Sequence, residues 1–208
     1  AWSQQFQGVM MPEVNINVSG MQLSQVNITH RVIDIIEKFV INTASLKLEL
    51  TESKVMEDPE NVSYIITELK KHNIKAAIDD FGTGYSSLSY LHKFPIDTLK
   101  IDRSFVNLIG SGEANAGIVN AIVVLAHNLG LDVVAEGVET QSQLQYLKNI
   151  GCDYAQGYYY ARPMPAHEIS DWLASAIGNR GEAMPGGSSA NLSFALDIED
   201  QVRLNCAK

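Results

Sequence analysis

The stretch AIDDFGTGYSSL, residues 77 to 88, places two carboxylates side by side at Asp79 and Asp80, directly before a polar loop rich in glycine. Adjacent carboxylates suit hard divalent cations such as magnesium or manganese, because these ions prefer oxygen ligands. Neighbouring side chains on a regular strand point to opposite faces, so both carboxylates can reach one site only where the strand breaks into the loop, which Gly82 and Gly84 permit. An Asp-Asp pair before glycine is also common in ordinary turns, so the pair alone does not establish a metal site.

Further polar residues lie at or near the ends of other predicted strands. They are Asn17, Glu49, Lys100 and Glu136. The carboxyl ends of the strands in a β/α barrel open onto one shared site, so we expect these side chains to converge there with the aspartate pair. Two metal ions clamped in such a site activate water and stabilise the leaving oxygen in phosphodiester hydrolysis. Three of these residues also have an ordinary interpretation: Glu49 as a solvated residue on an edge strand, Lys100 as the partner of Asp97 or Asp102, and Asn17 as a cap of the following loop.

Short β-rich runs alternate with longer amphipathic runs, in an order that repeats about six times. The predicted strands are residues 14–19, 46–50, 74–79, 97–102, 131–136 and 153–157. The predicted helices are residues 27–40, 59–72, 86–93, 114–129, 140–149 and 166–177. Asp58 followed by Pro59, and Thr140 with Gln143, are predicted helix starts. This alternation predicts a parallel sheet connected by crossover helices.

One face of several predicted strands is repeatedly polar. In LKLEL, residues 46–50, the leucines share one face, whereas Lys47 and Glu49 share the other. An open doubly wound sheet is covered by helices on both faces, so its strands are usually apolar throughout. A closed barrel explains the pattern better, because its strands face outward to helices and inward to a site. We therefore predict an α/β fold of the TIM-like (β/α) barrel type.

The composition limits the partners and the cellular setting. The net charge of −9, without a run of lysine or arginine, argues against binding to a nucleic-acid polymer. The two cysteines, Cys152 and Cys206, show no metal-binding or disulfide spacing, and no apolar run approaches the length of a membrane span. We expect a cytoplasmic domain, and any membrane anchor would belong to another part of a longer protein.

Five motifs follow one another between about residue 1 and residue 174: NVSGMQL, LELTES, IDDFGTGYSSLSYLHKFPIDTLKIDRSFV, VVAEGVET and AQGYYYARPM. In this order they closely resemble the EAL domain, a bacterial phosphodiesterase module that hydrolyses cyclic di-GMP. The resemblance implies a β/α barrel whose site opens at the carboxyl ends of the strands. It also implies two magnesium or manganese ions and the conversion of cyclic di-GMP to linear pGpG.

The resemblance implies metal ligands at Asn17, Glu49 and Asp79, with Asp79 and Asp80 serving the second ion. The remaining implied roles fall on residues outside this ligand set. Lys100 would lie near the attacking water, Glu136 would act as the base or orient that water, Gln156 would hold a metal-bound water, and Glu52 would tie down the loop after Asp80.

The resemblance also extends to assembly. We expect a homodimer that forms through the loop and helix at residues 81–93, and regulatory domains elsewhere in a longer natural protein. The Glu-Ala-Leu triplet that names the family does not occur in the 208 residues. In the family this triplet lies on an earlier strand and its glutamate binds metal. We therefore expect a domain at residues 1–177 that is incomplete at its amino terminus, with about six of the eight barrel strands.

Residues 178–208 begin with the linker-like composition GNRGEAMPGGSSA, and we expect them to form a disordered or loosely docked tail. Two main functional hypotheses remain open. The chain is either a metal-dependent cyclic di-GMP phosphodiesterase or an EAL-like module that binds the nucleotide or transmits a signal without turnover. A different barrel phosphohydrolase is a weaker third alternative.

Overall fold

A computed structural model describes residues 13–84, 91–110, 113–165, 168–169 and 193–196 of the chain. Within these ranges one parallel sheet has the strand order β6-β5-β4-β3-β2-β1-β7. The strands are Glu13–Asn17 (β1), Leu46–Thr51 (β2), Lys75–Phe81 (β3), Thr98–Ile101 (β4), Asp132–Ala135 (β5), Tyr154–Ala155 (β6) and Ser193–Leu196 (β7). The first six correspond to the predicted strands and form a half-barrel with helices packed outside it.

Within the described residues, helices follow β1, β2, β4 and β5. They are Gly20–Leu23 (α1), Ile28–Phe39 (α2), Glu52–Glu57 (α3), Pro59–Lys70 (α4), Arg103–Val106 (α5), Glu113–Asn128 (α6) and Gln141–Asn149 (α7). Both predicted helix starts are confirmed. The Asp58 side chain accepts a hydrogen bond at the start of α4, and Thr140 and Gln143 form a capping box at the start of α7.

The structure also differs from the predicted elements. The helices α1, α3 and α5 were not predicted, because four to six residues are too few to show a helical period. The strand β3 continues to Phe81 rather than ending at residue 79. The predicted helices at residues 86–93 and 166–177 lie largely outside the described residues.

The hydrophobic core lies between the outer face of the sheet and the helices. Leu50, Ile78 and Leu99 point outward from three successive strands and are almost completely buried. The inner face instead carries buried polar side chains, among them Lys47 and Glu49. The alternation predicted from LKLEL is therefore confirmed, and it concentrates charge inside the half-barrel.

Two aspartates anchor the starts of neighbouring strands in the same way. The Asp97 carboxylate, just before β4, accepts a 2.9 Å hydrogen bond from the Ala76 N–H in β3 and pairs with Lys70 of α4 at 2.8 Å. The Asp153 carboxylate, just before β6, accepts a 2.8 Å hydrogen bond from the Val133 N–H in β5. Each aspartate therefore fixes the second residue of the preceding strand.

The strand β7 comes from the segment predicted to be a tail. It pairs in parallel with β1 along residues 13–16. The rest of residues 178–208 lies outside the described residues, so the domain boundary at residue 177 stays a prediction. No helix in the described part of the chain combines the length and the apolar character that a membrane crossing requires.

Candidate active site

A bulge near the end of β3 brings Asp79 and Asp80 to the same side of the sheet. The pairing of β3 with β4 shifts register between Ile78 and Phe81, so β3 holds one more residue than its partner over this interval. Asp80 has a φ of 55°, a left-handed conformation that aspartate tolerates better than most residues. Ile78 and Phe81 both remain buried in the core, and the two carboxylates between them face the inner side. The irregularity that brings both carboxylates to one site therefore lies at Asp80 itself, rather than at Gly82 or Gly84.

Lys100 lies at the centre of the site and is 2% exposed. Its Nζ lies 2.7 Å from Glu49 Oε1, 3.1 Å from Asp79 Oδ1 and 2.6 Å from Glu136 Oε1. Burial lowers the pKa of the Lys100 ammonium, but the surrounding carboxylates outweigh burial and raise that pKa above its usual value. The lysine therefore remains charged and joins three acidic residues, from β2, β3 and the end of β5.

Three carboxylates form a group that could hold a cation. Asp79, Asp80 and Glu136 each offer an oxygen, and these oxygens all lie within 4.8 Å of one another. Burial and then the neighbouring Asp79 charge raise the pKa of Asp80. Burial raises the pKa of Glu136 to about 7, even though Lys100 opposes this shift. Such crowded carboxylates are stabilised by an additional positive charge.

Glu49 extends the site deeper into the half-barrel. Its Oε1 accepts hydrogen bonds from Lys100 and from Asn15 Nδ2, each at 2.7 Å. Asn17, which was predicted beside Glu49 as a metal ligand, lies opposite it in the register between β1 and β2 and is exposed at the mouth of the site. Asn15 was not predicted, because it lies within β1 rather than at its end. Its polar side chain on the inner face is the only sequence signal for its role.

The loops after β5 and β6 interlock and position Glu136 beside Gln156. The Gln156 N–H donates to the Ala135 carbonyl at 2.8 Å, and the Val138 N–H donates to the Gln156 carbonyl at 2.9 Å. The Gln156 Oε1 atom is buried and has no hydrogen-bond partner among the residues that the structure describes. A buried acceptor of this kind is suited to a water molecule or another polar ligand.

Glu52 lies behind the aspartate pair at the start of α3. It is 1% exposed, and its Oε2 accepts hydrogen bonds from the Gly82 N–H at 2.8 Å and the Gly84 N–H at 3.4 Å. A Cβ atom at Gly84 would lie 3.0 Å from Glu52 Oε1, so glycine allows this close approach. Glu52 therefore holds the first part of the loop that follows Asp80. Residues 85–90 of that loop lie outside the described residues.

The model of one protein family matches residues 1–163, and that family is the EAL domain. The chain belongs to the EAL domain family. Among curated relatives, the bifunctional diguanylate cyclase/cyclic di-GMP phosphodiesterase MucR of Pseudomonas aeruginosa is 40% identical over 156 residues, or 75% of this chain and 23% of MucR. The chain spans about a quarter or less of the length of the first curated relatives it matches.

Solved structures of EAL domains share the fold. The EAL domain of DcpA from Mycobacterium smegmatis matches with a TM-score of 0.75 and 43% identity, covering 78% of this chain and 73% of that one. The PaMucR phosphodiesterase in complex with c-di-GMP matches with a TM-score of 0.72 and 39% identity, covering 76% and 64% of the two chains. The predicted family and the predicted TIM-like α/β fold are therefore confirmed.

Proposed function

We propose that this EAL domain hydrolyses cyclic di-GMP to linear pGpG with the help of two divalent cations, magnesium or manganese. The observation that carries the proposal is the network in which Lys100 joins Glu49, Asp79 and Glu136 beside the adjacent carboxylate of Asp80. A relative that is 40% identical carries cyclic di-GMP phosphodiesterase in its name, and a similar structure contains the nucleotide. These likenesses support the choice of substrate.

The residues of the site fit divalent cations. Asp79, Asp80 and Glu136 supply clustered carboxylate oxygens, which are the ligands that magnesium and manganese prefer. We assign metal binding to Asp79 and Asp80 together with Glu49 and Asn17. When bound, the cations supply Lewis acidity that favours ionisation of water and polarises a phosphate oxygen.

Glu136 and Lys100 would act on the attacking water and its proton. The Oε1 atom of Glu136 is paired with Lys100, so Oε2 is the atom we assign to accept a proton from the attacking water. Burial raises the pKa of Glu136 to about 7 in the metal-free protein, and that pKa would fall beside bound cations, so that the carboxylate is free to accept a proton. Lys100 holds the carboxylates in place and supplies a fixed positive charge near the phosphate. The carbonyl oxygen of the Gln156 side chain would accept a hydrogen bond from a water in the site.

The reaction consumes one water for each bond broken. The water oxygen forms a bond to one phosphorus, the bond between that phosphorus and the ribose 3′ oxygen breaks, and the 3′ oxygen receives a proton. The product is a linear dinucleotide with a 5′ phosphate. Glu52 contributes indirectly, because it holds the loop that follows Asp80.

The test is turnover of cyclic di-GMP by the 208-residue chain with magnesium or manganese, with pGpG quantified by chromatography. We expect metal-dependent product from the wild type and none from Glu49→Ala or in EDTA. A folded chain that forms no pGpG at any concentration of either metal would refute the proposal.

A second candidate is a module that binds cyclic di-GMP without hydrolysing it. A similar structure contains the nucleotide, and binding by itself requires no turnover. Calorimetric titration with cyclic di-GMP separates the two candidates. Binding without metal-dependent product supports the second candidate.

We also propose assembly into a homodimer through the loop and helix at residues 81–93, and function beside regulatory domains in a longer protein. An open apolar groove lined by Phe81, Phe105, Ile118 and Leu125 supports the position of the dimer contact. Part of the segment assigned to this contact, residues 85–90, lies outside the described residues. Sedimentation of the wild type and of Ile118→Lys tests the assembly, and an unchanged mass for the variant would place the contact elsewhere.

A further inference from the structure

Asn15 contacts Glu49 inside the half-barrel. Neither the metal-binding nor the catalytic assignments include Asn15. It lies on β1 two residues before Asn17, so both side chains project to the inner face of the sheet. Asn15 is 2% exposed, and its Nδ2 donates a 2.7 Å hydrogen bond to Glu49 Oε1. The contact joins β1 to β2 through side chains inside the half-barrel.

The same carboxylate oxygen of Glu49 accepts from Lys100 Nζ at 2.7 Å. Two donors on a single oxygen fix the plane of the carboxylate and occupy that oxygen. The other oxygen, Oε2, is then the atom of Glu49 that can face a cation. Mutation of a side chain that orients a metal ligand in this way typically weakens metal binding by about 10- to 100-fold.

We propose that Asn15 is a positioning residue for metal binding: it orients the Glu49 carboxylate so that Oε2 is presented to a divalent cation. This inference rests on the proposed function, because it requires Glu49 to be a ligand. A purely structural role would instead make Asn15 one of several polar side chains that fill the inner face. The two roles differ in their effect on metal affinity in a chain that remains folded.

The chain offers a matched control at Thr98. This residue lies on the inner face of β4, two residues before Lys100, and is 1% exposed. Its hydroxyl oxygen has no hydrogen-bond partner within the described residues. Thr98→Val therefore changes a buried polar side chain of the same interior without removing a contact to Glu49.

The experiment measures Mn²⁺ binding to the full 208-residue chain by electron paramagnetic resonance, without nucleotide. The variants are Asn15→Leu, which keeps the branched shape but removes the donor, and Asn15→Ser, whose short side chain does not reach Glu49. Circular dichroism in EDTA identifies the variants that fold, and Asn15→Ser serves if the leucine variant does not. We expect about tenfold weaker Mn²⁺ binding for the Asn15 variants, whereas Thr98→Val should match the wild type.

A second measurement excludes a general loss of structure. Excess Mn²⁺ should restore turnover of cyclic di-GMP by the Asn15 variants, because weak metal affinity is compensated by concentration. A folded Asn15 variant with wild-type Mn²⁺ affinity would overturn the positioning role and leave the proposed function intact. A wild type that binds no Mn²⁺ at all would overturn both.

Discussion

Glu136 Oε1 lies 2.6 Å from Lys100 Nζ, yet burial still raises the pKa of Glu136 to about 7. The lysine shares its charge with Glu49 and Asp79, so it compensates only part of the desolvation of each carboxylate. The site therefore holds more negative charge than the protein itself neutralises. This excess favours a cation when one is present, and a proton on Glu136 when none is.

The raised pKa of Glu136 predicts that the metal-free protein loses stability as the pH rises. In EDTA, Glu136 holds more protons in the folded chain than in the unfolded chain between its ordinary pKa of 4.5 and about 7. The free energy of unfolding should therefore fall through this window, and Glu136→Gln should remove about 2 kcal/mol of that fall between pH 5 and pH 7. Urea unfolding of both proteins at several pH values measures the difference. Parallel curves for the two proteins would contradict the prediction.

Gly157 should tolerate no side chain, because it lies where the loops after β5 and β6 cross. Its φ is 154°, and a Cβ atom there would overlap the backbone N and O of Val138. We expect Gly157→Ala to lower the free energy of unfolding by about 2–3 kcal/mol and to weaken Mn²⁺ binding through displacement of Glu136. Gly151→Ala is the control, since its φ is 77° but no atom lies within 4 Å, and it should cost only about 1 kcal/mol. Equal losses in urea unfolding would show that crowding at Val138 is unimportant.

The sequence predicts the barrel and most of the site because both follow from a local period. The alternation in β2 places Glu49 inside and its leucine neighbours outside without reference to any other strand. Parallel strands then bring Glu49, Asp79 and Lys100 to the same end of the sheet, although the register pairs Glu49 with Ala77 and Asp79 with Thr51.

The features that the sequence does not predict depend on contacts between residues far apart in the chain. The bulge at Asp80 exists because β3 has one more residue than β4 over the same interval. The sequence of either strand alone does not show this difference. The contact of Asn15 with Glu49 joins residues 34 positions apart and has no motif spacing. The partner of β7 likewise follows from a free strand edge rather than from its own residues.

We expect the substitution Val40→Gly to stabilise the protein. Val40 ends α2 in the left-handed conformation, with a φ of 51°, although β-branched residues strongly disfavour that region. Its side chain is 90% exposed and packs against little, so Val40→Gly should raise the free energy of unfolding by about 1 kcal/mol. The same substitution at Val124, which is half exposed within α6, should instead lower it by about 0.5 kcal/mol. Thermal melting of the two variants tests the opposite signs, and a loss at both positions would disprove the strain at Val40.

Because Asp153 anchors Val133, we expect substitution of Asp153 to destabilise the protein more than substitution of its other partner, His127. The Oδ2 atom of Asp153 accepts hydrogen bonds from the buried Val133 N–H and from His127 Nε2, each at 2.8 Å. The His127 side chain is 41% exposed, so its contact with Asp153 is worth at most about 1 kcal/mol. Asp153→Ala leaves the Val133 N–H without an acceptor and should cost about 1–3 kcal/mol, clearly more than His127→Ala. Urea unfolding at pH 7 gives both values, and a larger loss for His127→Ala would mean that the histidine contact, rather than the backbone hydrogen bond, holds β6 against β5.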